Sequence, residues 1–85
     1  MDHGIKEKAE RFKALAEIFH KESKRVFIKD FENNYYFANI IHVGEDSIEI
    51  ICFAPDDRKN EKFELYWVNI SVFSEYREIG GEDGN

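Results

Sequence analysis

Five short runs rich in β-branched and aromatic residues fill most of the chain after residue 24, and turn-forming residues separate them. The runs are RVFIKDF, YYFANIIHV, SIEIICFA, KFELYWV and VFSEYRE, at residues 25–31, 35–43, 47–54, 62–68 and 72–78. We interpret them as five antiparallel strands. Because closing a sheet removes the edges that an open sheet exposes, this succession predicts a small barrel over about residues 25–79.

The segment before these runs has the period of a helix. Apolar residues recur in it at spacings of three and four: Ile5, Ala9, Phe12, Ala16 and Phe19. The other positions are mostly charged, and no Gly or Pro interrupts the strong helix formers. The sequence therefore predicts an amphipathic helix at about residues 5–24, which packs its apolar stripe on the barrel.

Turn residues and the C-terminal composition set the domain limits. ENN at 32–34 is typical of a tight turn, because Asn tolerates left-handed backbone angles, and GED at 44–46 predicts a second turn. GGEDGN at 80–85 predicts a flexible acidic tail. We expect one domain over residues 1–79.

Alternation along the strands sorts the apolar residues between two faces. The expected interior consists of Val26, Ile28, Ile40, Ile48, Ile50, Leu65 and Val72. The phenylalanines Phe31, Phe37, Phe53 and Phe63 are expected to close the barrel ends or to lie under the helix. The second and third runs are apolar at nearly every position, so a further surface must cover them: the helix, another subunit, or both.

Composition limits the class of protein. The chain has 85 residues and 35% charged side chains, with no apolar run near the roughly 20 residues of a membrane span. It has no signal-peptide pattern and a single cysteine, so we expect a cytoplasmic protein without membrane contact. Residues 1–25 have a net charge of +2 and residues 26–85 a net charge of −8, which disfavours nucleic acid on the barrel.

Residues suited to catalysis are sparse. His3, His20 and His42 lack metal-ligand spacing, and Asp56 and Asp57 are typical of a solvated turn. No glycine-rich phosphate loop or nucleophile motif is present in the sequence. The sequence predicts no catalytic residues, no metal site and no cofactor, and hence a protein that is not an enzyme.

The order of elements and the ending YWVNISVFSEYRE resemble the Sm-like family. The resemblance implies a mostly β fold in which an N-terminal helix caps a five-stranded antiparallel SH3-type barrel, and a short helical turn joins the last two strands. It also favours a homo-oligomer in which the fourth strand of one subunit pairs with the fifth of the next. The predicted subunit interface is Leu65, Tyr66, Trp67 and Phe73.

RNA-binding members of that family have an Asp and an Asn near the turn between strands two and three, and an Arg-Gly pair between strands four and five. Here the first stretch is Gly44-Glu45-Asp46-Ser47-Ile48 and the second is Val68-Asn69-Ile70-Ser71. The chain has the acid but not the Asn, the Arg or the Gly. We therefore expect this turn to be architectural, with Glu45 and Asp46 in solvent.

The leading functional hypothesis is a non-catalytic Sm-like module that assembles with copies of itself and binds protein partners. The alternative is an RNA-binding Sm-like protein that uses the helix rather than the family's nucleotide pocket. Its contact residues would be Lys6, Lys13, Lys21, Lys24 and Arg25, although glutamates are interleaved with them. A further alternative, a cage for a methylated lysine, would use Tyr35, Tyr36, Tyr66, Trp67 and Tyr76.

Overall fold

One N-terminal helix and a five-stranded antiparallel sheet make up the fold, as the sequence predicts. A computed structural model describes residues 2–77, so the predicted tail at 80–85 lies outside the described residues. The elements are α1 (Asp2–Lys21), β1 (Arg25–Asp30), β2 (Tyr35–Val43), β3 (Ser47–Ala54), the 3₁₀ turn η1 (Asp56–Arg58), β4 (Lys62–Tyr66), the 3₁₀ turn η2 (Trp67–Asn69) and β5 (Ile70–Glu75).

Helix α1 ends three residues earlier than predicted. Ser23 has a φ of 58°, in the left-handed region where a helix stops. The Lys24 N–H then donates to the Phe19 carbonyl over 2.9 Å, and the Ser23 N–H donates to the His20 carbonyl over 3.1 Å. Helix-forming composition continues through this point, so composition alone places the end too late.

The apolar stripe of α1 packs on the concave face of the sheet. Phe12 and Ala16 are buried, and Ala9, Leu15 and Phe19 are partly buried against the same core. The Phe12 and Phe19 rings both lie 5.9 Å from the Phe73 ring, centroid to centroid. This confirms the predicted packing for the part of the stripe whose side chains the structure describes, which excludes Ile5.

The sheet order is β4-β3-β2-β1-β5, with every neighbouring pair antiparallel. The barrel-like sheet is not closed, because within residues 2–77 strands β4 and β5 are its two edges and do not pair with each other. Both edges come from adjacent parts of the sequence, separated only by η2.

The predicted interior is largely correct. Val26, Ile28, Ile48 and Ile50 are fully buried. Two further residues of the predicted interior, Ile40 and Leu65, pack on the core while partly exposed, and so does Phe63, which was expected at a barrel end or under the helix.

Strands β4 and β5 differ from their predictions. Residues 67 and 68, predicted as the end of the fourth strand, belong to η2, and β5 begins at Ile70 rather than at residue 72. Lys29 is opposite Val72 and Asp30 is opposite Ile70, so Ser71 is an extra residue that forms a bulge. The expectation that Val72 faces the interior is wrong: the bulge directs Ile70 and Phe73 inward and leaves Val72 exposed.

Two more bulges lie in the β2–β3 pair. Ile40 is opposite Ile50 and His42 is opposite Glu49, which leaves Ile41 unpaired. Phe37 is opposite Ala54 and Ala38 is opposite Cys52, which leaves Phe53 unpaired. Bulges bend strands, so these two irregularities curve the β2–β3 hairpin.

The expectation for Phe31 is also wrong. This residue follows β1 in the turn, and 61% of its surface is exposed. Its N–H donates to the Asn69 carbonyl over 3.0 Å, which fixes the backbone of the turn against η2 and leaves the ring at the surface.

Candidate interaction surfaces

Strand β4 presents one accessible aromatic side chain at the edge of the sheet. Its residues alternate, with Phe63 and Leu65 partly buried against the core and Tyr66 51% exposed. Phe31 and Tyr66 line a shallow groove of about 160 Å³ together with Leu65 and Asn69. Exposed apolar side chains therefore flank this edge.

Strand β5 presents Val72 at the opposite edge, where 40% of its surface is exposed. Between the two edges, η2 exposes Val68. The accessible apolar residues of this region are Phe31, Tyr66, Val68 and Val72, and we call them the edge residues.

Of the four predicted interface residues, the structure exposes only Tyr66. Trp67 and Phe73 are buried, and their rings contact each other at a centroid distance of 6.2 Å in an edge-to-face arrangement. Leu65 is partly buried. Leu65, Trp67 and Phe73 thus form part of the monomer's own core, and Tyr66 and Val72 are the outward residues of β4 and β5.

A cleft of about 700 Å³ separates α1 from the turn between β2 and β3. We call it the helix cleft. Lys6, Ala9, Glu10 and Lys13 form its helical wall. Their spacing of three and four residues places them on one face of the helix.

The opposite wall of the helix cleft is Glu45 and Asp46, and its floor is Trp67 and Val68. An ion pair joins the two walls, with 3.0 Å between the Lys13 Nζ and the Glu45 Oε1. The Glu45 side chain is 88% exposed, so the pair contributes little to stability.

The turn that forms this wall is attached to η2 by Trp67. The Trp67 indole N–H donates to the Gly44 carbonyl over 3.2 Å, and the Trp67 backbone N–H donates to the Asp46 carbonyl over 3.1 Å. Gly44 fits closely against the turn, since a Cβ there would lie 3.0 Å from the Ser47 carbonyl oxygen and would have to displace it by a few tenths of an ångström. The turn is therefore held against η2; Glu45 and Asp46 are exposed, as expected, and they also form one side of a cavity.

The five basic residues of the RNA-binding alternative do not form one patch. Lys6 and Lys13 lie in the helix cleft, opposite two carboxylates. The Lys24 Nζ lies 3.3 Å from the Glu75 Oε2, and the Arg25 guanidinium lies 4.7 Å from the centre of the Phe53 ring. Lys21 is exposed in the last turn of α1. The phosphates of a bound RNA would therefore contact these side chains at separate places on the protein.

An outer aromatic row, which sequence reasoning missed, crosses the face of the sheet opposite the core. The expectation that Phe37 and Phe53 close the barrel ends or lie under the helix is wrong, because both rings belong to this row. Consecutive ring centroids are 5.2–5.9 Å apart. In order, the rings are Tyr35, Phe27, Phe37, Tyr76 and Phe53. These rings cover one another, which accounts for much of the apolar excess on the outer positions of β2 and β3.

The residues of the proposed methyl-lysine cage are also dispersed. Tyr35 and Tyr76 belong to the outer aromatic row, and Tyr66 lies on the β4 edge. Tyr36 is buried against Phe63, at a centroid distance of 5.1 Å. The structure brings no cage together from these five residues.

Asp30 is the buried carboxylate of the described chain, at the end of β1. Its Oδ1 accepts from the N–H groups of Glu32 and Asn34 at 2.9 Å, and its Oδ2 accepts from the Asn34 Nδ2 at 3.0 Å. Burial alone would raise the pKa of Asp30, but these hydrogen bonds, with a longer one from Tyr36, hold it below the ordinary value. Asn33 takes the left-handed conformation predicted for this turn, with a φ of 69°.

Two other buried groups have raised pKa values. Burial, followed by the nearby Asp30 charge, raises the pKa of the Tyr36 hydroxyl. Burial also raises the pKa of the Cys52 thiol, although the Arg58 charge opposes that effect. Cys52 is therefore a protonated, inert core residue at neutral pH rather than a nucleophile.

Within residues 2–77, no group of three or more His, Cys, Asp or Glu side chains is placed to hold a metal ion. No helix in that range has the length and apolar character of a membrane span. No protein-family model and no curated protein sequence matches this chain.

Proposed function

We propose that the chain is a non-catalytic Sm-like module that pairs β4 of one subunit with β5 of the next and binds protein partners. The observation that carries this proposal is the open sheet, whose two edges are β4 and β5. An edge strand has a row of unpaired N–H and C=O groups that a strand of another chain satisfies. Edge pairing would give those groups partners.

Side chains along the edges support the same proposal. Tyr66 and Val72 point outward from β4 and β5, and Phe31 and Val68 extend the apolar surface around η2. Neither strand contains a proline, the residue that most often blocks an edge. A β4–β5 contact joins two different surfaces, so it produces closed rings or open chains depending on the rotation between neighbours.

Multi-angle light scattering on the full chain at micromolar concentration tests the assembly. We expect a mass of two or more times that of the 10.1 kDa chain. A mass of one chain would contradict the proposal.

A charged residue at one edge should separate the subunits. Val72→Glu places a carboxylate on β5, opposite Lys29 of the same subunit, so the monomer fold tolerates it. Ile41→Glu is the matched control, because Ile41 is a β-branched residue of β2 that is 39% exposed, against 40% for Val72. We expect only Val72→Glu to reduce the mass, and equal losses would show that the contact lies elsewhere.

The RNA-binding alternative makes a separate prediction. Binding through phosphates weakens steeply with salt, by about a thousandfold or more between about 50 and 200 mM for six to ten contacts. With the basic residues of α1 dispersed, we expect no such binding of an oligouridylate by fluorescence anisotropy. Tight binding with a steep salt dependence would favour the alternative.

A further inference from the structure

We propose that the helix cleft binds a basic peptide segment, which places one aliphatic side chain against Val68 and Ala9, above the buried Trp67. The inference rests on the proposed function, because it gives the chemistry of a protein partner for that module. The helix cleft shares only Val68 with the edge residues and does not include Tyr66 or Val72, so variants at Val72 test the two proposals separately.

The cleft is already formed in the isolated chain. Two hydrogen bonds from Trp67 hold the turn wall, and the packing of Phe12 on Phe73 holds the helical wall. Its volume of about 700 Å³ suits a short peptide segment or a small molecule. A preformed site binds without the entropy cost of ordering its own walls.

The floor of the cleft is apolar and partly exposed to solvent. Val68 is 56% exposed, and Ala9 contributes a small apolar group from the helix. Trp67 is only 3% exposed and its indole N–H is bonded to Gly44, so it underlies the cleft without offering a free donor, and the accessible apolar surface comes from Val68 and Ala9. An aliphatic side chain laid on this floor would remove apolar surface from water on both partners.

The charges around the cleft favour a basic partner. Its rim has three carboxylates, Glu10, Glu45 and Asp46, and two ammonium groups, Lys6 and Lys13. The Lys13 ammonium is already paired with Glu45. The chain as a whole has a net charge of −6, which attracts basic segments and repels phosphates.

NMR chemical shifts test the inference with defined probes. Trp67 is the one tryptophan of the sequence, so its indole N–H gives an unambiguous signal from the cleft floor. The probes are a capped peptide Gly-Ser-Arg-Leu-Arg-Ser-Gly, its analogue with both Arg replaced by Glu, and its analogue with Leu replaced by Ser. We expect the first to shift the Trp67 signal at millimolar concentration, and the other two to bind at least about tenfold more weakly.

Two glutamates of the same helix give a matched pair of variants. Glu10 lines the cleft and Glu17 does not, and both are exposed. Glu10→Lys should weaken binding of the basic peptide more than Glu17→Lys, although both change the net charge equally. Equal weakening would mean that net charge alone attracts the peptide and would overturn the site.

Three further outcomes would overturn the proposal. One is that the basic peptide leaves the Trp67 signal unchanged in the wild-type chain, and another is that the acidic peptide shifts it as strongly. The third is that hexauridylate, rather than any peptide, shifts it, which would assign the cleft to RNA. The Val72→Glu variant should still show the shift of the Trp67 signal with the basic peptide, whether or not it assembles by light scattering. Loss of edge assembly and loss of peptide binding are therefore distinguishable.

Discussion

Asp30 determines the conformation of the β1–β2 turn because its carboxylate accepts hydrogen bonds that the backbone would otherwise lack. The Ser71 hydroxyl adds a bond to the Asp30 carbonyl over 3.3 Å, which connects this turn to the bulge in β5. ENN predicts the turn. The role of the Asp30 carboxylate in that turn has a weaker sequence signal, which is the spacing of four residues between Asp30 and Asn34. Short polar side chains have many local bonding patterns, so their role depends on the fold around them.

Replacing Asp30 should lower the free energy of unfolding more at neutral pH than at acid pH. Asp30→Ala removes the acceptor of two backbone N–H groups, and we expect a loss of about 2–3 kcal/mol in the free energy of unfolding at pH 7. The folded pKa lies below the ordinary 3.8, so this contribution is complete above that pH and declines as the pH falls through the lowered pKa.

Urea unfolding at pH 7 and near pH 3 measures the difference between wild type and variant. Glu32→Gln is the control, since Glu32 is exposed in the same turn and should change stability by less than about 0.5 kcal/mol. A gap between wild type and Asp30→Ala that stays constant with pH would show that the charge of the carboxylate is not involved.

At the scale of elements, helix and strands were predictable where one periodicity continues, and not where it breaks. The stripe of α1 is regular, so its buried face followed from spacing. The boundary between β4 and β5 differs from the prediction because YWVNIS contains a 3₁₀ turn. Val72 faces outward because the bulge at Ser71 displaces the alternation by one residue. A bulge depends on the register with a neighbouring strand, which no single segment of sequence contains.

The docking of α1 should depend strongly on one ring. Phe12→Ala removes a buried side chain that packs on Phe73, and we expect it to lower the free energy of unfolding by about 3–5 kcal/mol. For a domain of this size the melting temperature should fall by about 12 °C or more. Circular dichroism during heating measures this change.

Ile18→Ala is the control for Phe12→Ala on the same helix. Ile18 is half exposed, so its truncation should change stability by less than about 0.5 kcal/mol. Equal melting temperatures for wild type and Phe12→Ala would indicate that the helix does not contribute to the core in solution.

At the scale of the molecule, the fold class was predictable but the candidate sites were only partly so. The open edges follow from the strand order, and Tyr66, one of the predicted interface residues, is exposed on one of them. The helix cleft combines residues 6–13, 45–46 and 67–68, which only tertiary packing brings together. Trp67 and Phe73 look like interface residues in sequence because burial in a core and burial between subunits select the same side chains.

The single 3₁₀ turn between the two edges has a geometric consequence for any assembly through β4 and β5. A neighbour on β5 and a neighbour on β4 are tilted relative to each other by an angle that depends on η2 together with the twist and bulges of the three strands between the edges. That angle sets the curvature of the assembly and thus how many copies complete a circle. Because Trp67 of η2 is bonded to Gly44 and Asp46, the angle is held from outside the turn as well, and a one-residue insertion at Asn69 should change the symmetry rather than abolish the contact.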